Sequence, residues 1–311
     1  MRKMKRTAGV ATAFVASLLL SIGFVGTAAA ADGPAPGETL SQSYRESQRN
    51  NFEYQLLPAF KVFDNLYYVG PGYVSVWLLS TSEGLVLIDS AEEPYVEHIL
   101  SGIRSFGFDP ADIAYILISH GHLDHFGGAA YIQELSGARV AAMTQDWSMI
   151  AEAATRPGRG GGPSPRVPVR DMVLHQGDTI VLGDTTLKIH QTPGHTPGVT
   201  SVEFTVYDNG TPHPALFVGG SGARNDAYED AMKTSDLFMS LDVEVALLNH
   251  SWLGTSTFPN GSIFERAEIL KARGPGDSHP FVDRDSWNEW VAQGRVRVLA
   301  GLEQLRQGAG Q

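Results

Sequence analysis

Four metal-capable side chains fall within six residues of one short run, Ser119-His120-Gly121-His122-Leu123-Asp124-His125-Phe126-Gly127-Gly128, in the order H-x-H-x-D-H. Imidazoles and a carboxylate this close together need a cation, or each other, to be stable away from water. The run therefore has to be presented by a rigid scaffold. Ile113 to Ile118, directly before it, is a continuous apolar stretch that reads as a buried strand and delivers the chain to His120. Gly127 to Leu135, directly after it, reads as a helix whose N-terminus faces the run.

The rest of the chain follows the same style. Asn65–Val69, Val74–Leu79 and Leu85–Ile88 are short β-branched and aromatic runs bounded by turns such as Gly70-Pro71-Gly72 and Ser82-Glu83-Gly84. Val96, Ile99, Leu100 and Ile103 recur at helical spacing between Glu92 and Phe106. Val140–Met143 reads as a strand and Trp147–Ala154 as a helix. The loop Arg156-Pro157-Gly158-Arg159-Gly160-Gly161-Gly162-Pro163 is either a plain linker or a flap over a pocket. The second half adds strands at Val173–Leu174, Thr179–Leu182, Thr186–Ile189, Thr200–Phe204, Ala215–Val218 and Val245–Leu248. Helices follow, near Ser262–Arg273 and Arg284–Arg306. Strands then helices, twice over, predict two stacked sheets with helices on both outer faces.

Two further histidines stand where a scaffold presents functional groups. His195 lies in the turn Thr192-Pro193-Gly194-His195-Thr196-Pro197-Gly198, and His250 ends the apolar strand Val245–Leu248. Six candidate ligands then divide into two zinc sites. His120 and His122, alternating on an extended segment, join His195 in the first. Asp124, His125 and His250 form the second. Three ligands per site leave an open position, as catalytic zinc requires, and a closed structural site would usually use cysteine, of which the chain has none. The expectation is a metal-dependent hydrolase. A non-catalytic zinc protein is the weaker alternative, and a serine hydrolase lacks its Gly-x-Ser-x-Gly elbow here. His98, His175, His190, His213 and His279 are expected to stay outside the centre. Tyr73, Trp77, Phe126, Trp147 and Trp252 are expected either to line a pocket or, more commonly for such positions, to fill the core.

The N-terminus has its own logic. Arg2, Lys3, Lys5 and Arg6 precede the apolar stretch Val10 to Val25 and the small residues Ala28 to Ala31. That layout predicts a signal peptide over residues 1–31, and hence a periplasmic or secreted protein, rather than an uncleaved membrane anchor. Without a cysteine after it, a lipid-anchored form is not expected. Cleavage would remove four basic residues and no acidic one, leaving 19 Lys+Arg against 34 Asp+Glu, a formal charge of −15. Such a balance argues against nucleic acid or an anionic membrane as partner. Residues 32–56, at first rich in Pro, Gly and Ser, are expected to form a loosely ordered leader wrapping onto a domain spanning 57–311, and the mature protein is expected to be a monomer.

Over residues 57–292 the chain resembles the metallo-β-lactamase superfamily, and within it class B β-lactamases of the third subclass. The resemblance runs through Pro58–Gly70, Gly84–Asp89, the His run, Gly177-Asp178, the Thr192–Gly198 turn, His250 and Pro280-Phe281. It implies a four-layer αββα sandwich and two zinc ions per chain sharing a bridging hydroxide that opens a β-lactam ring. Asp124 would orient that nucleophile and Ser221 would bind the substrate carboxylate. Asp89 would be either a hydrogen-bond partner of a ligand imidazole or a simple turn residue. The other two β-lactamase subclasses use a cysteine in the second site. Glyoxalase-like and lactonase-like relatives usually carry a metal-bridging aspartate where this chain has Gly220, a departure that favours the lactamase reading and leaves an exported di-zinc hydrolase of lactones, thioesters or phosphoesters as the alternative. Two departures from the lactamase pattern are Gly121, where alanine is common, and Ala223, where a serine often helps bind the carboxylate.

Overall fold

The structure, a computed structural model, describes residues 33–158 and 161–308. The predicted signal peptide lies outside these residues. Two short helices, α1 (Leu40–Ser43) and α2 (Phe52–Gln55), lead into a seven-stranded sheet. Its strands are adjacent in chain order: β1 (Phe60–Phe63), β2 (Leu66–Tyr68), β3 (Trp77–Thr81), β4 (Gly84–Ile88), β5 (Ile113–Leu117), β6 (Arg139–Met143) and β7 (Met172–Leu174). The first four pair antiparallel and β4 to β7 pair parallel. Parallel neighbours need a crossover. These are supplied by α3 (Val96–Ser105), by α4 (Leu123–Phe126) with α5 (Ala129–Ser136), and by α6 (Thr144–Ala153).

The second sheet has five strands in the order β12-β11-β10-β9-β8. β8 (Thr179–Leu182), β9 (Thr185–Gln191), β10 (Thr200–Asp208) and β11 (Thr211–Val218) form an antiparallel meander. Helix α7 (Tyr228–Ser240) then carries the chain over to β12 (Val245–Leu248), which runs parallel to β11. Helices α8 (Ile263–Ala272) and α9 (Arg284–Gly308) complete the described chain.

Strand alternation explains the layering. Phe217, Val245 and Leu247 face inward and join the core shared with Val86, Leu87, Ile116 and Val140 of the first sheet. Their neighbours Leu216, Val218, Ala246 and Leu248 face outward and pack on Phe238 of α7 and on Trp287 and Trp290 of α9. A strand buried on both faces reads as an unbroken apolar run, which is why β11 and β12 do. α5 and α6 cover the first sheet. The architecture is the expected αββα arrangement.

The differences from the sequence reading have local causes. The strand expected from Val74 begins at Trp77. Ser75 N–H donates instead to Asn249 O at 2.9 Å, which ties this loop to the end of β12. Helix α7 gives no apolar signal in the sequence because its buried face is Ala231, Thr234, Ser235 and Phe238, a stripe at helical spacing that is mostly small or polar. The helix expected from Gly127 is present as α5, starting at Ala129, and a further short helix, α4, precedes it and holds Asp124 and His125. Residues 33–56 are more firmly seated than a loosely ordered leader. Ser41 donates through its backbone N–H and its hydroxyl to Glu265 of α8, each at 2.6 Å, and the Tyr44 ring packs 4.7 Å from that of Phe264. The buried Gln55 amide donates to the carbonyls of Tyr44 (3.0 Å) and Gln48 (2.9 Å). Polar composition hid these links because they are hydrogen bonds and ring contacts rather than an apolar stripe.

Candidate metal centre

The functional side chains gather at the C-terminal ends of the parallel strands, where an α/β scaffold presents its chemistry. β4 ends at Asp89, β5 at the His run, β11 at Gly219–Ser221 and β12 at Asn249-His250. His195 arrives from the β9–β10 connection. The segment from Ser119 to His122 bends rather than running extended, yet it still turns His120 and His122 toward the same point.

His122 Nδ1 lies 3.0 Å from His120 Nε2 and 3.2 Å from His195 Nε2. Nitrogens each about 2.0–2.1 Å from one tetrahedral zinc would stand roughly 3.3 Å apart, so the spacing fits. Asp124 Oδ2 lies 3.8 Å from both His125 Nε2 and His250 Nε2. Within each triad the facing atoms all lie within 4.8 Å of one another. The two triads adjoin, with the His120 and His125 rings 4.0 Å apart. The six side chains, from three segments of the chain, thus form one centre.

Hydrogen bonds on the far side of the rings fix which nitrogen faces inward. His120 Nδ1 lies 2.8 Å from Gly219 O, and His250 Nδ1 lies 2.8 Å from Tyr73 O. A carbonyl only accepts, so each Nδ1 carries the hydrogen and Nε2 is left as a lone pair. His125 Nδ1 lies 2.7 Å from Asp89 Oδ2. Its inward Nε2 is fully buried without a hydrogen-bond partner. A buried nitrogen without a partner costs about 1–3 kcal/mol, a penalty that a cation at this point would remove. The donor set therefore fits zinc.

Asp89 is the hub beneath. Its carboxylate also accepts from Ser119 N–H and from the Ser119 hydroxyl, each at 2.7 Å. Its backbone holds φ 61°, with Ala91 at φ 54°, left-handed positions two residues apart under the site. Aspartate tolerates that region better than alanine, whose cost is about 1–2 kcal/mol. The hydrogen bonds to Asp89 hold the turn in place.

Electrostatics follow from burial and crowding. Burial, with the neighbouring imidazoles, holds His120 well below the ordinary histidine range. Burial also lowers His195 to about 3 and His250 to about 4. His122 is lowered by burial and by Arg224. Burial pushes His125 down, but Asp89 and Asp124 outweigh it and leave it raised. Burial likewise opposes ionisation of Asp124, yet His125 and His250 bring it down to about 2. At neutral pH His120, His122, His195 and His250 are therefore neutral and Asp124 is ionised, the forms that bind a metal. His125, raised by its two carboxylate neighbours, must release its proton when a metal binds.

A cavity of about 470 Å³ opens over the centre, within the usual range for small-molecule sites. It is lined by His122, Asp124, His195, Ser221, His250 and Trp252, so Ser221 stands where a substrate can meet it. Tyr73, Trp77, Phe126 and Trp147 are core residues. On the other side of His122, Arg156, Pro157 and Gly158 border a smaller cavity, so the described start of the Gly-rich loop abuts the site. The remaining histidines are engaged elsewhere, His190 with Glu203, His213 with Glu244, His175 with Asp178, and His98 and His279 with backbone carbonyls.

Sequence reasoning missed three contributors. Asp146, fully buried in the first turn of α6, accepts from Thr196 Oγ1 at 3.0 Å and so braces the His195 turn. Burial raises its carboxyl to about 6. An acidic residue there reads as an ordinary helix-start charge. Arg45 and Arg49 also line the cavity, brought in from the leader.

Residues 69–208 match the family model of the metallo-beta-lactamase superfamily. The chain carries a metallo-beta-lactamase domain. BJP-1, a subclass B3 metallo-beta-lactamase of Bradyrhizobium japonicum, superposes with TM-score 0.67 at 28% identity, over 82% of this chain and 98% of that one. Native FEZ-1 metallo-beta-lactamase from Legionella gormanii does so with TM-score 0.69 at 27% identity, over 80% and 96%. A hydroxyacylglutathione hydrolase of Pseudomonas putida (strain GB-1) is 28% identical over 146 residues, 46% of each chain. The chain thus spans about half the length of the curated relatives it matches. The family match, the fold of the solved relatives and the His-rich centre agree with one another.

Proposed function

We propose that the chain is an exported zinc-dependent β-lactamase of the third-subclass type, binding two zinc ions. The observation that carries this reading is the ligand set of five histidines and one aspartate, with no cysteine and no carboxylate at Gly220. A Cβ on Gly220 would stand 3.2 Å from His195 Cβ and 3.3 Å from Val199 Cγ2, so the backbone is too close to the His195 turn to take an aspartate without displacement. That counts against the thioesterase alternative, which the hydroxyacylglutathione hydrolase relatives keep in view.

His120, His122 and His195 would hold one ion and Asp124, His125 and His250 the other. When bound, zinc lowers the pKa of a coordinated water to about 7 and polarises a carbonyl oxygen. The protein's own groups do the positioning. Asp124, ionised throughout the neutral range, accepts a hydrogen bond from the attacking water and orients it toward the lactam carbonyl. The Ser221 hydroxyl donates to the substrate carboxylate. Asp89 keeps the His125 ring from rotating. Trp252 and Leu123 give the cavity apolar wall against which the substrate body rests.

The test is a substrate panel on the purified chain with metal content measured alongside: a penicillin, a chromogenic cephalosporin, a carbapenem, a lactone and a hydroxyacyl thioester. We expect a β-lactam to lead in kcat/KM by orders of magnitude. A lactone or thioester leading by that margin would overturn the assignment while leaving the metal centre intact.

A further inference from the structure

The chain carries 23 Lys+Arg against 34 Asp+Glu, and most of its described arginines have found a carboxylate. Arg104, Arg139, Arg166, Arg273 and Arg284 are examples. Three that line the metal-centre cavity have not. Among the described residues no carboxylate lies within ion-pair distance of Arg45, Arg49 or Arg224.

Each of the three is held in a way that leaves its donors available. The Arg49 guanidinium stands over the Tyr73 ring, 3.5 Å from its centre, and that of Arg45 over Trp252 at 5.6 Å. A guanidinium resting on an aromatic face keeps its in-plane N–H groups free, and those form the fork that fits a carboxylate. Arg224 Nη1 lies 3.4 Å from His122 Nε2. Because Nδ1 of that ring is the atom facing the centre, Nε2 keeps its hydrogen in the metal-holding tautomer and cannot accept from Arg224. The leader that carries Arg45 and Arg49 is fixed by the Ser41–Glu265 and Gln55 hydrogen bonds, so the two charges are positioned rather than trailing.

From this arrangement we infer that Arg45, Arg49 and Arg224 form an anion subsite that selects substrates carrying a second carboxylate, beyond the one next to the scissile bond. Concentrating positive charge at the mouth of a low-dielectric cavity in an acidic protein focuses the field on the one place where an anionic substrate should arrive. The residues determine specificity and take no part in bond breaking. In its choice of hydrolysable substrate the test rests on the β-lactamase reading.

Benzylpenicillin and its α-carboxy derivative differ by one side-chain carboxylate. On the zinc-loaded full chain we expect kcat/KM to favour the dianion about tenfold, mainly through KM, as charge-assisted contacts at a partly exposed site allow. The ratio should fall to about one in an R45Q/R49Q double variant, persist in R45K/R49K, and shrink with added salt. A wild-type ratio of one or less, or an unchanged ratio in R45Q/R49Q, would overturn the inference. Calorimetric titration with isophthalate and benzoate reads the same subsite without catalysis. Tighter isophthalate binding that R45Q/R49Q abolishes would uphold the subsite even if neither penicillin were cleaved, a result that would count against the β-lactamase reading alone. Equal binding of the two carboxylates would refute the subsite whatever the hydrolysis data.

Discussion

At the scale of single residues, Asp89 has the heaviest duty of any group without a direct place in the ligand set. It accepts from the His125 ring and twice from Ser119, and is itself fully buried. Asp89→Ala strands three buried donors. We expect a loss of about 2–4 kcal/mol in urea denaturation and a zinc affinity weakened about 10–100-fold in chelator competition. Asp89→Asn keeps one acceptor oxygen and should lose less of both. Equal, small effects in the two variants would show that the carboxylate is a plain turn residue, the other role its position in the sequence allows. Residues of this kind are only half legible in a sequence. The His run announces itself because its residue types are costly without a cation, whereas Asp89 and Asp146 look like any acid at a strand end or helix start. What distinguishes them is burial next to a specific donor, which depends on the meeting of segments far apart in the chain.

At the scale of elements, the seating of α6 against the His run explains one departure in the motif. A Cβ on Gly121 would stand 2.6 Å from Met149 Cβ and 3.0 Å from Asp146 O, so the helix occupies the space an alanine would need. Gly121→Ala should therefore push α6 away. A cost of about 1–3 kcal/mol in denaturation is expected, as for other overpacked sites, together with reduced activity because Asp146 on that helix braces the His195 turn. Unchanged stability would mean that α6 shifts freely. Strands with both faces buried, such as β5, β11 and β12, were readable as apolar runs. Helix α7 was not, since its buried stripe of Ala231, Thr234, Ser235 and Phe238 carries one large apolar side chain. The leader is hard to read for the converse reason. Its composition is that of a loose segment, and its attachment comes from Ser41, Tyr44 and Gln55 finding distant partners.

At the scale of the whole molecule, the centre is a set of like-natured groups crowded together, and the fold bears the cost until a metal binds. Burial, reinforced by neighbouring charge, depresses His120, His122, His195 and His250, with His195 at about 3 and His250 at about 4. Below an ordinary histidine pKa of about 6.5 the unfolded chain takes up these protons and the folded chain does not, so stability falls as pH falls. The window runs from that ordinary value down to the folded values of the four. His125 is raised and acts in the opposite sense, contributing stability at low pH that is lost as pH rises through its folded value. The Asp146 carboxyl, raised to about 6, also takes up its proton earlier in the folded chain and acts with His125. At the centre, four groups against two predict a metal-free chain that melts at a lower temperature at pH 5 than at pH 7.5. Melting curves in the presence of chelator would check this, and a higher melting temperature at pH 5 would contradict it. Zinc should raise the melting temperature at neutral pH, since it binds the folded state in preference.

The central claim is that six side chains from three separate segments meet around a pair of divalent ions. Anomalous diffraction at the zinc absorption edge, from crystals of the zinc-loaded chain, measures this directly. The account predicts two zinc peaks, one among His120, His122 and His195 and the other among Asp124, His125 and His250. Density for zinc elsewhere in the molecule, with none between these groups, would contradict it.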